Sequence, residues 1–233
     1  MTSSLGDRMK LYERASDHHF TPNSPVVIRV DGKAFHTFLR HADQPFDERF
    51  MDAMRMTTAA TATHMQGFKL AYTQSDEATF LVTDYDRHES QGWFDYSLNK
   101  IVSITASTFT GYFNRFYTLE DDARIVEQTI GFFDARAFVV PVSDVSNVFV
   151  WRQQDWERNS VQMLARAHFS HKQCQNRNLP TLHGMLSEKG VVWARDLNEV
   201  EKYGCYVTRE YETIARKLTY EEIKELINPK EEE

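Results

Sequence analysis

The sequence predicts an α+β fold, a split βαβ (ferredoxin-like) sheet with a C-terminal helical extension. Three observations predict it. A short β-rich apolar run, PVVIRV (25–30), stops at Asp31-Gly32. Two more runs, FKLAYTQ (68–74) and EATFLVTD (77–84), are joined only by Ser75-Asp76. A fourth, ARAFVVP (135–141), closes on Pro141, and helical stretches fill the gaps after the first and third runs. Strand, helix, strand, strand, helix, strand is the order of a four-stranded antiparallel sheet with both helices on one face.

A first helix is expected over about 5–17. After the first strand, Asp47 has the character of an N-cap for DERFMDAMRMTTAATATHM, where Phe50, Met54, Thr57 and Ala60/Thr61 recur at helical spacing. SLNKIVSITASTFTGYFN reads as the second helix of the unit, over about 97–116. Beyond Pro141 a long helix is expected over about 144–170 and a shorter one over 179–188, stopped by Gly190 in the C′ role. YEEIKELINPKEEE is a short helix running into charge.

In this topology the first and third strands are central antiparallel neighbours, so the end of one lies beside the start of the other. The sequence puts Asp31 at the first place and Asp76 at the second, 45 positions later. Two carboxylates meeting at a sheet edge repel each other, and a hard divalent cation such as magnesium resolves the repulsion. A pair of such ions suits phosphoryl transfer. The Gly32 carbonyl is a third candidate ligand, Lys33 a phosphate partner and Ser75 a hydrogen-bond donor. Glu77 is expected to turn away from Asp76 by strand alternation. Asp-Gly and Ser-Asp are also ordinary turn dipeptides, so spacing alone leaves a plain structural reading open.

The formal net charge of −7 argues against a generic nucleic-acid binder, but charge can be local. From Arg158 to Ser187 there is no Asp or Glu, and the stretch carries Arg158, Arg166, Lys172 and Arg177 with His168, His171 and His183. These four cations are the expected contacts for a polyanion such as RNA. Asp155, Asn159, Gln162 and Arg166 form one polar stripe on the long helix, while Trp151, Leu164 and Ala167 fall off it and are expected to pack. His168, His171 and Cys174 have ligand-like spacing, but no CxxC partner completes a zinc site. With two cysteines and no apolar run near the ~20 residues of a membrane span, a cytoplasmic protein without disulfides or membrane attachment is expected.

VIRVDGKAFHTF and YTQSDEATF resemble the paired metal-binding motifs of the tRNA-His guanylyltransferases, and FFDARAFVVP and VFVWRQQDWERNS match further blocks of that family in order. The resemblance runs from about Ser24 to Gly204. It implies the palm fold of polymerases, with residues 1–142 as a palm-like catalytic domain and 143–233 as a helical extension that does not fold alone. It implies 3′-to-5′ extension of RNA: ATP activates the 5′ end, and the 3′-hydroxyl of an incoming nucleotide such as GTP attacks it. Asp31, the Gly32 carbonyl and Asp76 take the metal-ligand roles, with Asp31 and Asp76 catalytic. Nucleotide contacts fall to Asp31, Gly32, Lys33, Ala34, Phe35, His36, Ser75 and Asp76, with Asp47, Asn159 and Lys189 as further candidates. A tetramer is implied.

Two departures from the family pattern stand out. A His-x-x-Asn element tied to tRNA-His is absent, with Glu157 and Asn159-Ser160 at the aligned places. Together with AHFSHKQ this looks like the bacterial and archaeal guanylyltransferase-like branch, whose members resemble tRNA 5′-end repair enzymes. A lysine expected before Pro45 is Gln44, for which Lys33 or Arg40 could substitute. The alternatives are single guanylate addition to tRNA-His, a nucleotide cyclase on the same palm, and a non-enzymatic RNA-binding module. The last would show aromatics rather than acids on its open sheet face.

Overall fold

The first strand, β1 (Val26–Gly32), alternates between two cores, and that alternation organises the molecule. Val26, Ile28 and Val30 point into one apolar cluster and Val27 into another. The computed structural model describes residues 4–85, 90–118 and 130–229. Around β1 the sheet is completed by β2 (Phe68–Gln74), β3 (Glu77–Val82), β4 (Phe133–Val139), β5 (Cys205–Val207) and β6 (Thr213–Ile214), in the order β4-β1-β3-β2-β5-β6. The first four give the expected arrangement, with β1 antiparallel to both β3 and β4. The last two were not expected. β5 pairs with β2 through Ala71–Val207, Tyr72–Tyr206 and Thr73–Cys205, so the C-terminal part extends the sheet as well as adding helices.

The helices are α1 (Leu5–Arg14), α2 (Phe35–Phe38), α3 (Glu48–Ala62), α4 (Leu98–Thr118), α5 (Val145–His168), α6 (His171–Cys174), α7 (Leu179–Glu188), α8 (Trp193–Asp196), α9 (Glu199–Tyr203) and α10 (Tyr220–Ile227). Asp47 caps α3, its carboxylate accepting from the Phe50 amide at 2.8 Å. α3 and α4 pack on one sheet face, where Phe50, Met54, Ile101, Phe109 and Phe113 are buried with Ile28, Val30 and Phe80.

The opposite face was expected to be open. It is covered over much of its area by α5 and α10, whose Val145, Phe149, Ile223 and Ile227 bury against Val27, Leu70, Tyr72 and Leu81. Burying a side chain of this size is worth about 1.5–3 kcal/mol. Gln153 locks the arrangement: its amide donates to the Leu218 carbonyl at 3.0 Å and accepts from the Leu218 amide at 2.9 Å and the Tyr206 hydroxyl at 3.1 Å. Farther along α5, Leu164 packs with Leu182 and Leu186 of α7. The other two residues expected to pack do not: Ala167 is exposed and Trp151 is 50% exposed.

Candidate active site

The cover over the second face stops short of one end of the sheet, where β1 ends and β3 begins. Asp31 stands there, level with Glu77 on β3 and Asp134 on β4. The ladder fixes which way these side chains point. Val27 faces α5, so Arg29 and Asp31 two and four residues on face the same way, and so do their cross-strand partners Glu77, Asp134 and Arg136. Arg136 Nη2 lies 3.7 Å from the Asp31 carboxylate.

Asp76 arrives by a different route. It sits in the two-residue turn between β2 and β3, after Ser75 at φ 46°, so strand alternation does not govern it. The expectation that Glu77 turns away from Asp76 therefore fails, and both line the same cleft. The Gly32 amide donates to the Asp76 carbonyl at 2.9 Å and the Lys33 amide to the Phe132 carbonyl at 2.8 Å, so the end of β1 is tied on both sides. Ser75 donates its hydroxyl to Asp76 Oδ1 at 3.1 Å. Burial pushes the Asp76 carboxyl above its ordinary range, and the nearby Asp31 charge pushes it the same way.

α5 forms the other wall. The cleft, about 340 Å³, is lined by Asp31, Ser75, Asp76 and Glu77 from the sheet and by Asp155, Asn159, Gln162 and Arg166 from the helix. The whole predicted polar stripe thus faces the acids across one space. Arg152, one turn before Asp155, completes the wall. Its Nε lies 2.7 Å from Glu77 Oε1, its Nη2 donates to Glu77 Oε2 at 2.8 Å, and Nη2 stands 3.3 Å from Asp155. Burial raises the Glu77 carboxyl and Arg152 opposes the rise. Sequence reasoning missed this pair; the signal was an arginine at i−3 from the head of the stripe.

Other predicted contacts are placed elsewhere. Phe35 is 3% exposed and packs against Phe38, Phe50, Phe113 and Phe133, so only its backbone could meet a ligand. Ala34 is left-handed at φ 57°, starting α2. Lys33 and His36 are exposed at the β1 end, with His36 close enough for its charge to act on Asp76. Asp47 is occupied as a cap, accepting from Asp43 and Phe50 amides. Lys189 donates to the His168 carbonyl at 2.7 Å and lies over the Phe169 ring. Lys33, Arg40 and Gln44 do not line the cleft. Arg158 pairs with Asp155 at its edge, while Lys172 and Arg177 are exposed on and after α6. Glu157 turns away from the cleft and is held by Lys217 at 2.7 Å.

A Thg1 family model, tRNAHis guanylyltransferase, matches residues 6–141. The chain belongs to that family. With the family comes its enzyme class, tRNA nucleotidyltransferase. A bacterial tRNA(His) guanylyltransferase (Thg1)-like protein solved in complex with ATP is 35% identical, with TM-score 0.89 over 97% of this chain and 100% of that one. One solved in complex with GTP is 33% identical, with TM-score 0.80 over 96% and 97%. The tRNA(His) guanylyltransferase of Neurospora crassa is 29% identical over 165 residues, 69% of this chain and 54% of the Neurospora one. The family match and the bacterial likeness agree with the resemblance drawn from the motifs, and the two solved bacterial structures share this α+β architecture.

The cleft offers only oxygen donors on its acidic side, which suits magnesium. Among the described residues no three His, Cys, Asp or Glu side chains converge on one point. An ion held by Asp31 and Asp76 would therefore take its other ligands from the Gly32 carbonyl, water or substrate phosphates, as magnesium commonly does. Among the described residues no helix is long and apolar enough to cross a membrane.

Proposed function

We propose that this protein adds nucleotides, guanylate above all, to the 5′ end of tRNA in the 3′-to-5′ direction, choosing each by pairing with the opposing strand. The observation that carries the reading is the cleft itself: Asp31 and Asp76 on one wall, Asn159, Gln162 and Arg166 on the other. Bound by Asp31, the Gly32 carbonyl and Asp76, two magnesium ions would supply charge stabilisation to the phosphate oxygens. The protein's own groups do the rest. Arg166 neutralises phosphate, Asn159 and Gln162 orient it by hydrogen bonds, and the Arg152 pairing engages Glu77, leaving metal binding to Asp31 and Asp76. ATP activates the 5′ end and GTP is the preferred addition, with Lys33, Ala34, His36 and Ser75 as the remaining nucleotide contacts at the β1 end. Lys172 and Arg177 extend the basic surface for tRNA beyond the cleft.

Selection by pairing fits the fate of position 157. Glu157 faces Lys217 rather than the cleft, so this side chain brings no tRNA-His readout to the active site. A mispaired nucleotide would hold its hydroxyl out of line, and misplacement by about 1 Å costs on the order of a hundredfold in rate. Residues 143–233 act as an extension of the palm that does not fold alone, because β5 and α10 complete its sheet and core. The working form is taken as a cytoplasmic homotetramer. The test is incorporation with magnesium and all four triphosphates into intact tRNA-His and several tRNAs lacking the first nucleotide, varying the opposing base. Guanylate should enter opposite cytosine far better than opposite adenine on several tRNA bodies. Strict dependence on the tRNA-His body, with indifference to the opposing base, would establish single guanylate addition instead.

A further inference from the structure

The polar wall of the cleft ends in an aromatic that the fold leaves uncovered. Trp151 is 50% exposed, whereas Trp93 and Trp156 are 9% and 3% exposed and Trp193 donates its indole N–H to Ser160 at 2.9 Å. The Trp151 ring is nevertheless held from one side: the Arg152 guanidinium lies 4.7 Å from its centroid. That guanidinium is anchored in turn by Glu77 and Asp155, both cleft residues. One face of the indole is thus backed by a buried, ion-paired cation that itself lines the cleft.

Trp151 was expected to fall off the stripe, but on α5 helical spacing puts it at the edge of the same face as the rest of the wall. Trp151, Asp155 and Arg158 stand at i, i+4 and i+7, with Gln162 and Arg166 continuing the row. The opposite flank of α5, at Gln153 and Glu157, is spent on Leu218 and Lys217. From Trp151 to Arg166 the row is about 22 Å long at 1.5 Å per residue. An aromatic at one end and exposed arginines at the other is the pattern that binds a single strand: the cations track phosphates and the ring stacks on a base.

We propose that Trp151 is a stacking platform for an unpaired nucleobase at the acceptor end of the RNA, with Arg152 as its backing. This rests on the reading of the cleft as a 5′-end nucleotidyl transfer site. The occupant is an RNA base because the row beyond the ring ends at exposed Arg166, with half-exposed Arg158 before it in a pair with Asp155, and these guanidiniums complement a phosphate chain.

The test uses the full chain with Trp151→Ala and Trp151→Phe. Affinity is measured for a tRNA lacking its first nucleotide, and separately for GTP and ATP. Abasic sites then replace the unpaired acceptor bases one at a time. Trp151→Ala should weaken RNA binding on the order of tenfold, Trp151→Phe should recover most of it, and nucleotide affinity should stay within about twofold. At one abasic position the alanine variant should cost nothing further, because the stacking partner is already gone. Unchanged RNA affinity overturns the proposal, as does a loss that no abasic site abolishes. So does a changed molecular mass in light scattering, which would mean that another copy covers the ring. Coupling between Trp151 and one base in a protein that incorporates no nucleotide would leave the platform standing and remove the transfer reading. Incorporation without coupling would do the reverse.

Discussion

The Gly32 amide and the Asp76 carbonyl are joined at 2.9 Å, which fixes the end of β1 against the turn that carries the second carboxylate. The glycine is needed there for space. A Cβ at position 32 would lie 2.4 Å from the Phe35 ring, and that ring is wedged between Phe38, Phe50, Phe113 and Phe133 with centroids 4.7–5.9 Å away. Gly32→Ala should therefore destabilise the fold by about 1–3 kcal/mol through overpacking. Adding Phe35→Leu should return part of the loss in a denaturation series. A neutral Gly32→Ala would show that the ring can move aside.

Arg152 and Glu77 are 7% and 13% exposed at the side chain, and each neutralises a charge the other would leave buried. Removing one partner of such a pair costs about 3–5 kcal/mol, whereas replacing both by apolar groups can be neutral. Arg152→Ala should show that loss in urea unfolding, and Arg152→Met with Glu77→Leu should be much milder. Equal losses in the single and double variants would mean that the pair is not what joins α5 to the sheet at this point.

Arg166 lines the cleft and Lys172 lies on the exposed α6 beyond it. Charge reversal at either should weaken tRNA binding and lower the slope of log affinity against log salt by about one for each phosphate no longer neutralised. GTP affinity should change less for Lys172→Glu than for Arg166→Glu. A salt slope unchanged in both variants would place the RNA on another surface.

Much of this architecture was legible in the sequence because it rests on local signals. The four strands of the split βαβ unit were bounded by turn residues, and topology alone brought Asp31 beside Asp76. The stripe from Asp155 to Arg166 was readable because helical periodicity is rigid. What escaped depended on long-range packing. CYV (205–207) is too short to announce a strand, and it becomes one only because β2 offers an edge. Glu77 was misjudged because alternation was carried through a turn that breaks it. Arg152 looked like one more charge on a charged helix until the sheet supplied its partner. Lys189 matched a family lysine and Asp47 was a further nucleotide-contact candidate, and here each holds hydrogen bonds outside the cleft lining.

Asp31 and Asp76 are proposed to make the transfer centre together, and guanylate incorporation by Asp31→Ala and Asp76→Ala decides it. Circular dichroism and thermal melting without magnesium serve as the fold control. Both variants should lose incorporation while keeping the fold. Asp76→Ala should melt no lower than the parent, because burial and the Asp31 charge already disfavour its ionised carboxylate. Near-normal turnover in magnesium by either folded variant would rule these two carboxylates out as the transfer centre.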